Sequence, residues 1–346
     1  MKAISRGILH ITDCDEGGVP VVIDTIMTYI PGSVGFLASV PLNFVNATCV
    51  DFSSLGPRSI NPLTSSKIYI DLLKKVSKVN PRVIHGHSAF GGLYGALVSK
   101  QLNIPFIYTP HASPNMIPKR PLSKRILGSL EWISCKIAKT VIACSEDEAA
   151  AISELCPSAN IDIVPNGIEP CLDVRALERP CLWDIINVGR ICEQKRPDIF
   201  IELAESIAAR SPGVRIAWLG DGEPLCSTSV NWLGPKAEAE VVSALNRSRI
   251  FLTTSDYEGL SLAALRAAAA GCELVMRNTA GTRSPVFLGA KGSLYSANED
   301  AIELLMGLLE KPHCVEDRFS RAKVSENLFS SDKFIKRMED IYYKYL

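Results

Sequence analysis

The chain has 346 residues, and Lys+Arg and Asp+Glu both count 37, so the formal net charge is zero. That length suggests two domains, each large enough for a proper core, and the balanced charge leaves no global field to recruit nucleic acid or an anionic membrane. With 47% hydrophobic and 21% charged residues the composition is globular and excludes disorder.

Short apolar runs of β type alternate with helix-length segments from end to end. The spacing predicts strands at Ile8–Thr12, Arg82–His85, Phe106–Thr109, Thr140–Cys144 and Ile161–Val164. A second series follows at Asp184–Val188, Val214–Leu219, Val230–Leu233, Ile250–Thr254 and Glu273–Met276. Between them, segments such as Gly91–Asn103 and Ile199–Ala209 carry the period of an amphipathic helix. Strands that are apolar throughout and separated by helices imply parallel sheets covered on both faces, an α/β class. The break falls near Gly167–Arg179, within the stretch Pro165–Pro180 that carries three prolines and no clear periodicity. The expected domains are 1–170 and 171–330, both Rossmann-like. Asp332–Leu346 reads as a terminal helix packing back toward the first of them.

No apolar run is long enough to span a membrane, and the first residues lack the apolar core of a secretory signal. The eleven cysteines are scattered, with no CxxC pair and no metal-ligand spacing, as expected of reduced, buried thiols in a cytoplasmic protein.

Ligands of open α/β sheets sit beyond the carboxyl ends of the strands, so the strand ends carry the functional reading. Gly17 and Gly18 follow the first strand, where a glycine pair lets the backbone approach a phosphate or simply turn. Asp13-Cys14-Asp15 is a DxD, but its place beside that turn favours helix-entry carboxylates over a metal site. His85, His87 and His111 end two strands of one domain, which suits either structural or functional imidazoles. Arg190 follows a strand and a glycine, and Lys195 precedes a helix; two cations at such a turn suit a pyrophosphate. Glu258 and Gly259 occupy the loop before a small-residue helix, where a carboxylate can accept from sugar hydroxyls and backbone N–H groups can hold a phosphate.

The ordered series HGHS (85–88), TPH (109–111), VIACS (141–145), VPNGI (164–168), VGR…K (188–195), LGDGEP (219–224), WLG (232–234) and SDYEGLSL…RAAAAG (255–271) resembles the retaining GT-B glycosyltransferases of family 4. The resemblance implies two Rossmann-like domains facing across a cleft, and transfer of a hexose from a nucleotide diphosphate sugar, a UDP-sugar by expectation, with no cofactor or metal. By the same resemblance Arg190 and Lys195 neutralise the diphosphate, and Glu258 holds hydroxyls of the transferred sugar. Gly259 and Leu260 contact the phosphates, Gly18 approaches them from the other domain, and His111 lies near the reacting carbon. The Gly220–Gly222 and Leu233–Pro235 loops line the base and ribose pocket. One position departs from the pattern: where the family has a second glutamate on the ribose hydroxyls, this chain has Arg266. A guanidinium accepts no hydrogen bonds. Either other groups hold the ribose, or Arg266 adds charge on the diphosphate, or donor binding is impaired.

Retention without an evident carboxylate nucleophile implies a front-face reaction in which the leaving phosphate helps deprotonate the acceptor. The acceptor side is expected on the first domain. There Pro114–Ile137 places Lys119, Arg120, Lys124 and Arg125 beside Met116, Ile117, Ile126, Leu127 and Trp132. This segment is either a solvated charge run or a patch that docks on the anionic inner face of a membrane carrying a lipid-linked saccharide. The resemblance points to cell-surface polysaccharide assembly in bacteria, such as O-antigen or capsule. The competing readings are a nucleotide-sugar epimerase of related fold and a catalytically silent family member acting as a partner protein.

Overall fold

The computed structural model describes residues 7–14, 17–37, 50–51, 62–117, 122–177 and 180–346. Its contacts divide the chain into two units, Met1–Gly167 with Ser331–Leu346, and Ile168–Ser330.

The first unit holds a seven-stranded, all-parallel sheet in the order β3-β2-β1-β4-β5-β6-β7. Its strands are β1 (Ile8–Thr12), β2 (Ser33–Leu37), β3 (Val50–Asp51), β4 (Val83–His87), β5 (Phe106–Thr109), β6 (Thr140–Ala143) and β7 (Ile161–Ile163). The strand order reverses between β1 and β4, which makes their carboxyl ends the natural ligand position. β1, β4, β5 and β6 are buried along their whole length. That explains why they do not read as a regular alternation of apolar and polar residues. On one face Leu9, Ile11, Ile84, Phe106 and Tyr108 pack into a core with helices Ser88–Leu102 and Leu122–Ile137. The other face is unusual: His10 pairs in register with His85, and Thr12 and Thr109 both pair with His87. In parallel strands in-register side chains share a face, so three imidazoles lie together inside the unit.

The second unit holds six parallel strands in the order β10-β9-β8-β11-β12-β13. They are β8 (Trp183–Val188), β9 (Ile216–Leu219), β10 (Asn231–Trp232), β11 (Ser248–Thr253), β12 (Glu273–Arg277) and β13 (Gly292–Tyr295). Here the reversal falls between β8 and β11. Ile185, Trp218, Ile250, Leu252 and Val275 meet Phe200, Leu203 and Ile207 of helix Pro197–Arg210 in one core, each such side chain contributing about 1.5–3 kcal/mol on burial. The small-residue helix Leu262–Ala269 starts at Ser261, whose hydroxyl accepts from the Ala264 N–H.

Three strands lie outside the sequence expectation, namely β2, β3 and β13. They are short, and SVGFL and GSLY dilute their apolar residues with Ser and Gly. The terminal helix is Ser331–Tyr343, and it packs on helix Gly18–Tyr29 of the first unit. No helix among the described residues is long and apolar enough to cross a membrane. The described cysteines are all free thiols, five of them buried.

Candidate functional site

In the first unit the sheet delivers four of the chain's five histidines to one place. His10 Nδ1 lies 2.9 Å from His87 Nε2, and His87 Nδ1 lies 2.9 Å from His111 Nε2. His85 bonds to the Tyr342 hydroxyl at 2.7 Å through Nδ1, and to the Thr109 hydroxyl at 2.8 Å through Nε2. Burial pushes His10 down to about 3, and desolvation does the same to His111. His85 and His87 are held well below the usual imidazole range, first by burial and then by the neighbouring imidazoles. All four rings are therefore neutral near pH 7. Ring nitrogens of His10, His85 and His87 fall within 4.8 Å of one another, close enough to gather round one ion, but both nitrogens of His85 and of His87 are engaged in these hydrogen bonds.

His111 and Ala112 both have positive φ, 57° and 98°, a backbone that non-glycine residues rarely adopt. Two buried carboxylates hold it. Glu148 Oε1 accepts from the N–H groups of Ala112 and Ser113 at 2.6 and 3.1 Å, and its Oε2 accepts from Cys144 N at 2.8 Å. Glu131 Oε2 accepts from the Ser113 hydroxyl at 2.6 Å and from Asn115 Nδ2 at 3.1 Å. Burial pushes Glu131 up to about 8 against the lowering effect of the Ser113 hydrogen bond, so it carries a proton at pH 7. Gly18 begins helix Gly18–Tyr29 directly after Gly17. Asp13 is buried and accepts from the Gly91 N–H in the first turn of helix Ser88–Leu102, a helix-entry role. Asp15 lies outside the described residues, as do Lys119, Arg120 and the side chain of Lys124. Arg125 is exposed, and Ile126 and Trp132 on the same helix are 43% and 45% exposed, whereas Met116 is buried.

In the second unit the carboxyl ends of β8, β9 and β11 come together. Gly220 has φ 157°, and a Cβ there would fall 2.0 Å from the Gly189 carbonyl oxygen, so only glycine lets the two strand ends touch. Trp218 Nε1 donates to the same carbonyl at 2.7 Å, while Gly220 N donates to Gly234 O beside Leu233. The Gly222 backbone packs on Ile191. These contacts place the loops carrying Arg190, Gly220, Gly222 and Leu233 side by side, with Arg190 exposed. Lys195 ends the short turn Glu193–Lys195 and pairs with Glu258 at 2.5 Å, with only 16% and 11% of their side chains exposed. Ser255 donates to the same Glu258 oxygen at 2.9 Å. The Thr254 hydroxyl donates to the carbonyls of Lys195 and Arg196, and Asp256 N to that of Gln194, so the β8 and β11 loops are stitched into one platform. Gly281, at φ 69°, lies so close beneath Glu258 and Gly259 that a Cβ would overlap the Glu258 carbonyl oxygen. Gly259 and the adjacent Leu260 are both buried. Arg266 points elsewhere: its Nη2 pairs with Glu238 Oε1 at 2.8 Å, at the start of helix Glu238–Asn246.

The structure thus joins Lys195 to Glu258 directly and pairs Arg266 with a carboxylate that sequence reading did not single out. Sequence reading also passed over His10, Glu131, Glu148 and Tyr342. Only Glu148 carried a local signal, in the capping pattern Ser145–Glu148.

Comparison with known proteins places this geometry. Residues 42–171 match the model of Glycosyltransferase Family 4, and residues 183–310 match that of Glycosyl transferases group 1. The chain is 26% identical over 270 residues to the UDP-Gal:alpha-D-GlcNAc-diphosphoundecaprenol alpha-1,3-galactosyltransferase of Escherichia coli, covering 70% of this chain and 69% of the relative. It is 23% identical over 306 residues to the alpha-monoglucosyldiacylglycerol synthase of Acholeplasma laidlawii, covering 78% and 77%. Among solved structures, a sucrose-phosphate synthase from Thermosynechococcus elongatus superposes with a TM-score of 0.79 at 16% identity, covering 98% of this chain and 99% of that one. HepE of Anabaena, in complex with UDP and glucose, superposes at 0.76 and 14% identity, covering 98% and 100%. With a family 4 domain followed by a group 1 domain, each on its own parallel sheet, the chain belongs to the glycosyltransferases of GT-B fold.

Proposed function

We propose that this glycosyltransferase moves a hexose from a UDP-sugar to a lipid-linked saccharide, with retention and without a metal, on the cytoplasmic face of a membrane. The observation that carries the reading is the Lys195–Glu258 pair on the platform at the ends of β8 and β11. A diphosphate settling there meets Lys195 and the exposed Arg190, a mobile point charge and a planar fork, and these offset the charge of the leaving group in place of a metal. Glu258 keeps its second oxygen for hydroxyls of the transferred sugar. Arg266 cannot accept from a ribose hydroxyl, but the Glu238 carboxylate that it holds is 57% exposed and can. In this reading ribose recognition passes from the position of Arg266 to its partner.

The acceptor class is supported by the relatives, one named for a diphosphoundecaprenol acceptor and the other for a diacylglycerol product. It is supported too by the exposed Ile126 and Trp132 next to basic residues, a combination that seats on anionic lipid. O-antigen or capsule assembly is the setting that fits such an acceptor. The test is incubation with UDP-galactose or UDP-glucose and an undecaprenyl diphosphate-linked sugar, with and without EDTA, and assignment of the product anomer by NMR. Transfer with retained configuration in EDTA supports the proposal. Release of a free epimer indicates an epimerase instead. Absence of turnover with every nucleotide sugar indicates a catalytically silent partner protein, the reading that Arg266 favours.

A further inference from the structure

His10, His87 and His111 form a line of three imidazoles with two nitrogen-to-nitrogen contacts of 2.9 Å. Each contact has hydrogen-bond length, so each holds one proton between two nitrogens. A neutral imidazole has one N–H and one lone pair, on opposite nitrogens, so the direction of one bond dictates the next. Two arrangements are left. In the outward one, His10 Nδ1–H donates to His87 Nε2, His87 Nδ1–H donates to His111 Nε2, and His111 carries its proton on Nδ1. In the inward one every bond reverses, and His10 carries its proton on Nε2.

The far end of the line decides between them. His10 Nε2 is buried and has no hydrogen-bond partner. The inward arrangement strands an N–H donor there, whereas the outward one strands only a lone pair. Folded chains tolerate an unmet acceptor more readily than an orphaned N–H. A second observation sits at the near end: the strained φ values of His111 and Ala112, fixed by Glu148, over-determine where the His111 ring lies. Among the described residues His111 Nδ1 makes no hydrogen bond.

We propose that His10 and His87 are positioning residues that lock His111 as its Nδ1–H tautomer, so that the loop after β5 presents a neutral hydrogen-bond donor to an oxygen of the sugar substrates. The identity of that oxygen rests on the transferase reading; the tautomer does not. The experiment is long-range proton–nitrogen correlation NMR on protein labelled with 15N-histidine, in which five histidines give a resolvable spectrum. The expected result is a protonated Nδ1 and a bare Nε2 for His10, His87 and His111, unchanged between pH 6 and 8. His10→Asn, whose amide still donates to His87, keeps that protonation pattern in the spectrum. His87→Phe releases His111 into a mixture of tautomers, and turnover drops on the order of a hundredfold, the scale for a donor aimed at a reacting oxygen, while UDP affinity is unchanged. If His87→Phe does not fold, the wild-type spectrum decides alone. A proton on His111 Nε2, or a charged ring, overturns the proposal, as does stoichiometric zinc in the purified protein with the His10, His85 and His87 signals displaced. Because the spectrum is read without substrate, an outward pattern in a protein that transfers nothing sinks the transferase reading alone.

Discussion

Replacing Lys195 by methionine keeps an unbranched stem beside Gly189 and deletes the charge. Two effects follow, and they separate in different assays. A charge-assisted contact to a phosphate contributes about 1.5–3 kcal/mol, and each 1.4 kcal/mol is tenfold in Kd, so UDP should bind roughly 10- to 150-fold more weakly. The second effect is internal. Glu258 is 8% exposed and has Lys195 as its cation at 2.5 Å, so the variant strands a carboxylate supported only by the Ser255 hydroxyl. Removing one partner of a fully buried pair costs about 3–5 kcal/mol. With 16% of the lysine side chain still exposed, the loss here should fall at or below the lower end of that range, visible as a lower Tm. Glu258→Gln should do the opposite to the nucleotide: Lys195 no longer shares its charge, so UDP binds at least as tightly, while turnover falls because the hydroxyl acceptor has lost its charge. The double variant should recover part of the lost Tm, because no ion is left without a partner. Calorimetric titration with UDP and with a UDP-sugar, run beside thermal unfolding of all four proteins, measures each quantity. UDP affinity in Lys195→Met within twofold of wild type would refute the diphosphate assignment, whatever happens to the Tm.

Arg266→Ala should lose activity by releasing Glu238, and Arg266→Glu should gain none, because it sets a second carboxylate against Glu238; a rise in turnover above wild type would mark a decayed donor site. Glu131 holds its proton in the folded chain up to about pH 8 but only to about 4.5 when unfolded, so its contribution to stability is complete below pH 4.5 and is lost as pH rises through 8. Wild-type stability should therefore decline as pH rises from 6 to 7.5, at about 1.4 kcal/mol per pH unit from this group, and level off above 8, and Glu131→Gln should flatten the decline. The histidines act in the other direction, since stability is lost as pH falls below 6.5 toward the lowered values of His10 and His111. Replacing Lys119, Arg120, Lys124 and Arg125 together with glutamine should weaken binding to anionic vesicles, as added salt should for the wild type, with soluble acceptors still processed; equal vesicle binding by both proteins would leave the segment a solvated surface.

What the sequence revealed follows from how each feature is encoded. β1 and β5 were legible to the residue because a strand buried on both faces is written as a mostly apolar run without alternation. β2, β3 and β13 were not, because β3 has only two residues and the four or five of β2 and β13, diluted by Gly and Ser, carry too little periodicity. Arg190, Lys195 and Glu258 stood out because strand-end turns followed by helices have a local signature. That Lys195 and Glu258 touch could not be read, since 63 residues separate them. The imidazole line was half visible: His87 and His111 lie at or just past strand ends, but His10 sits in mid-strand, 77 positions from its partner, where it looks like a polar interruption of an apolar run. The partner of Arg266 was not legible, for a geometric reason. Helical spacing fixes where its Cα stands, but not that its side chain turns toward the neighbouring helix start that holds Glu238.

The two units also differ in the kind of polarity they gather. The second concentrates ionised groups: Lys195 with Glu258, Arg266 with Glu238, and Asp256 between Arg196 and Arg277. Such groups are already charged and oriented before a ligand arrives, so a diphosphate can be bound without reorganising the site, the condition under which electrostatic stabilisation of a leaving group is most effective. The first unit gathers groups that burial has discharged: four neutral imidazoles, a protonated Glu131 and a Tyr342 hydroxyl held well above its usual range by desolvation. Neutral donors and acceptors of this kind suit a partner that is itself uncharged, because a hydroxyl gains from direction rather than from net charge. An ion placed at His111 would instead have to overcome the same desolvation that keeps the ring neutral. On the function proposed above, the ion pairs of the second unit would meet the charged diphosphate and the discharged groups of the first an uncharged hydroxyl.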